Sequence, residues 1–188
     1  MTATMRAATF RQPGTIRIET KPIPEIGPND ALVRMTTTTI CGTDVHILKR
    51  EYPVADGLTI GHELVGVIER LGSAVTGYEV GQRVIAGAIT PSGQSNASLS
   101  GFASQCGCGA RHGWKAMGGW RFGNTIDGTQ AEYVRVPDAA ANLAVIPDHL
   151  TDEQVLMCPD IMSTGFSGAE SGEVKIGDMV AVFAQGPI

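Results

Sequence analysis

The chain has 188 residues, enough for one sizeable domain and short for two complete ones, so any second module here is a stub. Lysine plus arginine (14) against aspartate plus glutamate (19) leaves a formal charge of −5 without a basic run, which argues against nucleic acid as a partner. A hydrophobic fraction of 43% supports a core, while no apolar run approaches the ~18 residues that span a membrane and residues 1–11 lack the parts of a signal peptide; a soluble, cytoplasmic protein is expected.

The stretch from Thr15 to Thr20 alternates, with Ile16 and Ile18 on one side and Thr15, Arg17 and Glu19 on the other, the period-two pattern of a half-buried strand. Ala31 to Ile40 is rich in β-branched residues, and Leu64 to Glu69, Arg83 to Ile89 and Ala131 to Val136 read as further strands between glycine or proline turns. No internal repeat is visible. The 24 glycines, nearly twice the ~7% usual in proteins, suit strands joined by turns. The expected fold is mainly β: a partly closed β-barrel, its edges hidden by closure, with a few short helices.

Between Gly101 and Gly128 the density of glycines predicts a lobe built from loop. Thr151, with Gln154 three residues on and Val155 to Met157 after it, forms a capping box that starts a helix. Pro159 bends or ends that helix, Asp160 stands at the break, and a second short helix follows. Lys175 to Ala184 turns into an unbroken apolar run, as in a fully buried parallel strand. The expected division is a domain over 1–158, a connecting helical segment over 159–178, and over 179–188 the first strand of a second domain cut at its opening.

Four cysteines, Cys41, Cys106, Cys108 and Cys158, are unevenly spaced and read as free thiols or metal ligands rather than disulfides. Cys41-Gly42-Thr43-Asp44-Val45-His46 ends the second strong strand and leads into a helix. Gly61-His62-Glu63 follows, then Gly66, Gly72 and Val75. The Gly61 to Val75 spacing resembles the zinc signature of the medium-chain alcohol dehydrogenase family, and Cys-Gly-Thr-Asp resembles the segment supplying that family's first ligand. The similarity runs over essentially the whole chain and implies the GroES-like catalytic domain of such an enzyme, with a Rossmann domain to follow.

The resemblance implies one catalytic zinc held by Cys41, His62 and a third ligand four residues before Thr164-Gly165, which is Asp160. An aspartate there, where a cysteine is commoner, is similar to the NADP-linked secondary alcohol dehydrogenase branch. Cys⁻, neutral His and Asp⁻ leave Zn²⁺ formally neutral, as two thiolates and a histidine do. Cys158, two residues earlier, is the rival ligand, and its plainer reading is a small buried apolar group. Glu63 either completes the coordination or steadies His62 from behind. The resemblance further implies a proton relay through Thr43 and His46, although Thr43 also suits a helix cap and His46 a helix surface. Ile89 and Trp120 match positions shaping the substrate pocket in the similar branch, or else belong to the core.

A structural zinc of many relatives would fall on Ser92, Ser95, Ser98 and Cys106. Three hydroxyls are poor ligands, so none is expected there; Cys106 and Cys108 with His112 offer no complete substitute. At the end of the chain Ala184 and Gly186 occupy the first two positions of a Gly-x-Gly-x-x-Gly loop, and no cofactor-binding residue is assigned. His112 and His149 read as surface residues. The family resemblance implies a homo-oligomer that interconverts small secondary alcohols and ketones or aldehydes by hydride transfer to NAD(P). The alternative is a zinc-containing GroES-like binding module without redox activity.

Overall fold

The computed structural model describes residues 3–106, 119–184, 186 and 188. Strand β1 (Thr4–Arg11) pairs antiparallel with β2 (Thr15–Pro22), from Thr4 opposite Pro22 to Arg11 opposite Thr15. A second, five-stranded sheet is built from β3 (Ala31–Thr37), β4 (Leu64–Leu71), β5 (Arg83–Ala86), β6 (Tyr133–Val136) and β7 (Leu143–Val145). Its order is β6-β3-β4-β5-β7, antiparallel throughout. Register shifts between Leu32 and Val33 and between Met35 and Thr37 bend β3 against β4, as bulges do. The β1–β2 ribbon closes onto this curve through bridges of Ala7 to Ala131 and Thr9 to Thr59. The barrel is therefore partly closed, as the sequence suggests.

Side-chain alternation divides β4 between two interiors. Leu64 and Ile68 join Val33, Val84, Phe122 and Val134 in the main core, while Val65 faces the other way onto Ile146 and Val155. Burying a residue such as Leu64, fully shielded here, contributes about 1.5–3 kcal/mol. A third cluster, Ala8, Phe10, Ile47 and Ile60, packs beneath α1 (Gly42–Leu48), with Trp120 at its margin.

The remaining helices are short: α2 (Asn96–Leu99), α3 (Ala139–Asn142), α4 (Asp152–Val155) and α5 (Ser163–Ser171), with a 3₁₀ turn at Ala103–Gln105 and a π-turn at Cys158–Met162. Helix α4 starts where the capping box predicts: Thr151 Oγ1 accepts the Gln154 N–H and Gln154 Oε1 accepts the Thr151 N–H. Asp152 then pairs with Arg83 of β5, whose Nη1 also donates to Leu150 O at 2.9 Å, and accepts the Thr36 hydroxyl of β3. These contacts fasten α4 across the sheet.

Three expectations are corrected. The β2 face bearing Ile16 and Ile18 is not uniformly half-buried: Ile16 is half-buried, but Ile18 is 70% exposed, because a two-stranded ribbon covers only part of either face. Strands β3 and β5 stop at Thr37 and Ala86, short of Ile40 and Ile89, where the chain turns away from the ladder. The run from Met179 to Ala184 forms no buried strand; Met179 and Phe183 are fully or nearly fully exposed. An apolar run becomes a strand only when a neighbour supplies the ladder's hydrogen bonds, and none of the described residues does so. Among the described residues no helix is long and apolar enough to cross a membrane.

Candidate metal centre

Cys41 is the N-cap of α1, and the helix start fixes its position. Its N–H donates to Asp44 Oδ2 at 2.9 Å, and its carbonyl accepts the Asp44 N–H at 3.0 Å. Asp44, 2% exposed, also receives the Gln130 amide at 3.0 Å; the same amide reaches Thr39 O at 3.2 Å. Cys41 is thus held through α1 and through the 129–130 segment together.

His62 and Glu63 lie on the segment entering β4. Gly61 before them has φ +92°, and an added Cβ would stand 2.6 Å from Gln130 Cγ and 2.8 Å from Thr129 Oγ1. Only glycine fits this turn. Gly66, three residues after Glu63, lets Arg34 O approach to within 2.5 Å of where a Cβ would stand, closing β3 onto β4. The motif glycines are therefore packing requirements of the sheet that presents the histidine.

Asp160 arrives from the far end of the chain. Pro159 is the second residue of the π-turn, whose Met162 N–H reaches back to Met157 O at 2.9 Å, and the Pro159 carbonyl accepts the Ala88 N–H at 3.3 Å. This is the break expected at Pro159, and it directs Asp160 at His62: Asp160 Oδ2 lies 3.3 Å from His62 Nε2. Thr164 Oγ1 donates to Asp160 Oδ1 at 3.0 Å. Cys158 turns elsewhere, its Sγ 3.9 Å from Met162 Sδ and its side chain against the Val65–Ile146–Val155 cluster.

One ligand atom from each of Cys41, His62, Glu63 and Asp160 lies within 4.8 Å of the other three. Metal bonds of ~2.0–2.3 Å in a tetrahedron separate ligand atoms by roughly 3.3–3.8 Å, close to what is seen: 3.3 Å from His62 to Asp160 and 4.0 Å from His62 to Glu63. The stronger indication is Glu63, 1% exposed with no hydrogen-bond partner at either carboxylate oxygen. Burial pushes its carboxyl up from the ordinary value, and Thr39 and the neighbouring His62 oppose that without overcoming it. His62 answers in the opposite sense. Burial disfavours its charge, yet the hydrogen bond to Asp160 and the Cys41 sulfur outweigh that and hold it up at about 9. Asp160 is held below its ordinary value by His62, with burial opposing. One sulfur, one imidazole and two carboxylates, one of them buried without a hydrogen-bond partner, suit a divalent metal of zinc's type.

Thr43 and His46 lie three residues apart on α1, hence on one side of it. Thr43 Oγ1 is 3.7 Å from Cys41 Sγ. His46 is half-exposed, and its Nδ1 pairs with Glu51, whose carboxyl this contact lowers. Ile89 and Trp120 form an antiparallel bridge; the Trp120 ring stands 6.2 Å from His62, edge to face, and Tyr52 stands 5.6 Å beyond it. Asp44, Gln130, Glu51 and Tyr52 escape the reading of the sequence as site residues. Only Asp44 carries a local signal, as an acid three residues after a helix N-cap. His149 is exposed, as expected; Cys108 and His112 lie outside the described residues.

Residues 27–148 match the alcohol dehydrogenase GroES-like domain, so the chain belongs to that family. An alcohol dehydrogenase of Cupriavidus necator is 71% identical over all of this chain and 53% of its own length. An NADP-dependent isopropanol dehydrogenase of Entamoeba histolytica is 38% identical over 98% of this chain and 49% of its own. Among solved structures, an alcohol dehydrogenase from Thermus sp. ATN1 superposes with a TM-score of 0.82 at 31% identity, covering 93% of this chain and 49% of that one. The zinc-dependent alcohol dehydrogenase 2 of Streptococcus pneumonia gives 0.78 at 34%, covering 91% and 46%. The chain spans about half the length of the relatives it matches.

Proposed function

We propose that this chain is the zinc-binding catalytic half of an NAD(P)-linked dehydrogenase that interconverts small secondary alcohols and ketones. The observation that carries this reading is the convergence of Cys41, His62, Glu63 and Asp160, with the buried Glu63 carboxylate lacking a hydrogen-bond partner. Zinc held there supplies a Lewis acid for an alcohol or carbonyl oxygen. The chain's own residues do the rest. Asp44 and Gln130 hold Cys41 in register, and Asp160 is aimed by Thr164 and the Pro159–Ala88 contact. Thr43, beside Cys41, takes the proton of the substrate oxygen while handing on its own hydroxyl proton, and His46, half in solvent and paired with Glu51, carries that proton outward. Ile89 and Trp120 wall the substrate.

We place one zinc at this centre and none at Ser92, Ser95, Ser98 and Cys106. The proposed division is 1–158 for the catalytic domain, 159–178 for the segment carrying Asp160 and 179–188 for the opening of a dinucleotide-binding domain; NADP follows the similarity to an NADP-dependent isopropanol dehydrogenase, and the full-length protein is expected to be a homo-oligomer. A zinc-containing module without redox chemistry would need no hydroxyl beside its thiolate and no histidine leading to solvent. Steady-state ketone reduction by the full-length protein and its Cys41→Ala variant tests the proposal: turnover is expected to fall at least about a hundredfold, and undiminished turnover overturns the metal's role.

A further inference from the structure

The stretch from 91 to 106 lacks an apolar core of its own. Helix α2 and the 3₁₀ turn bury no residue, Leu99 and Phe102 are 73% and 65% exposed, and the single buried side chain between 91 and 106 is Cys106 at 4%. The stretch is anchored at its start, where Asn142 Nδ2 donates to Pro91 O at 2.9 Å and the Thr90 hydroxyl to Gly119 O at 2.8 Å. Beyond that anchor the polar contacts converge on one atom. The Ser92 N–H donates to Cys106 Sγ at 3.0 Å, and Ser92 Oγ and Ser95 Oγ each lie 3.4 Å from the same sulfur.

We propose that the Cys106 sulfur is the hub that fixes this lobe: accepting the Ser92 N–H and the Ser95 hydroxyl and in hydrogen-bond contact with Ser92 Oγ, it takes the place of an apolar core as the pin of segment 91–106. Ser95 Oγ accepts the Ser98 N–H at 3.1 Å, and its hydroxyl faces two acceptors, Ser98 Oγ at 3.1 Å and Cys106 Sγ at 3.4 Å. Burial by itself would push the thiol up, but the Ser92 hydroxyl and N–H, then Ser95 and Ser98, bring Cys106 down to about 7, in keeping with the polar contacts gathered on the sulfur. The hub lies on the stretch that leaves Thr90, one residue past Ile89, so the lobe it holds adjoins the Ile89–Trp120 pair.

Amide hydrogen exchange on the full-length protein tests this. Cys106→Ala is expected to speed exchange of the 92–106 amides about tenfold or more and to leave β3 and β4 unchanged; Cys106→Ser, which keeps an acceptor, does so less. Chelator-treated wild type keeps the protection of this segment. Should Cys106→Ala fail to fold, Ser95→Ala removes one donor and gives a smaller acceleration in the same segment. Unchanged exchange in the variant measured, or loss of protection on chelation, overturns the proposal.

Discussion

Asp44, itself 2% exposed, is neither a candidate ligand nor a relay residue, yet two part-buried donors end on it, the Cys41 N–H and the Gln130 amide. Replacing it by alanine takes this acceptor from both, although the Gln130 amide keeps Thr39 O. An unpaired buried donor costs about 1–3 kcal/mol, so the metal-free protein should lose that much through the Cys41 N–H, towards the low end if water enters the space left. Metal affinity falls separately: losing a partner that orients a ligand typically costs about 10–100-fold, or about 1.4–2.7 kcal/mol. Asp44→Asn keeps an acceptor for the Cys41 N–H and should recover most of the stability while binding zinc less tightly than wild type. Thermal unfolding of the metal-free protein reads the first effect without mass action from bound metal, and zinc competition against a chromophoric chelator reads the second. Zinc affinity of Asp44→Ala within about threefold of wild type would refute the view that Asp44 sets the thiolate's position, leaving it a helix cap alone.

Two further outcomes follow from the geometry. Gly61→Ala should destabilise the protein by more than about 1 kcal/mol, since it adds a left-handed backbone penalty to contacts of 2.6 and 2.8 Å, and a melting temperature within experimental scatter of wild type would contradict the close approach. Asp152 is held below its ordinary 3.8 by the Thr36 hydroxyl and Arg83, with burial opposing. Its contribution to stability is therefore present above about pH 4 and lost as pH falls through the lowered folded value, so Asp152→Asn should flatten stability against pH in that acid range. Parallel wild-type and variant curves below pH 4 would show that the Asp152–Arg83 pair is not what ties α4 to the sheet.

Strands β3, β4 and β6 are legible in the sequence because β-branched runs between turn residues leave little alternative, and α4 because its cap is local. Strand β1 is harder: Ala7, Ala8 and Thr9 are buried, but small side chains on both faces leave no alternation to read. Strand β7 has three residues, too few for any period. The apolar run at 179–184 shows the opposite failure, a strand-like pattern without a neighbour to complete it. At the centre, the resemblance singles out Cys41, His62, Glu63 and Asp160, and the fold brings them together. What orders them is long-range: Gln130 reaches Asp44 across 86 positions and Arg83 reaches Asp152 across 69, and no local spacing records such pairings.

The most direct test of the account is zinc content per chain by elemental analysis, on the wild type and on Asp160→Ala in parallel. The account predicts one zinc in the wild type and a marked loss in the variant, whose remaining ligands hold the metal with one carboxylate fewer. Full zinc in Asp160→Ala would contradict the ligand set, and two zincs in the wild type would contradict the metal-free lobe around Cys106.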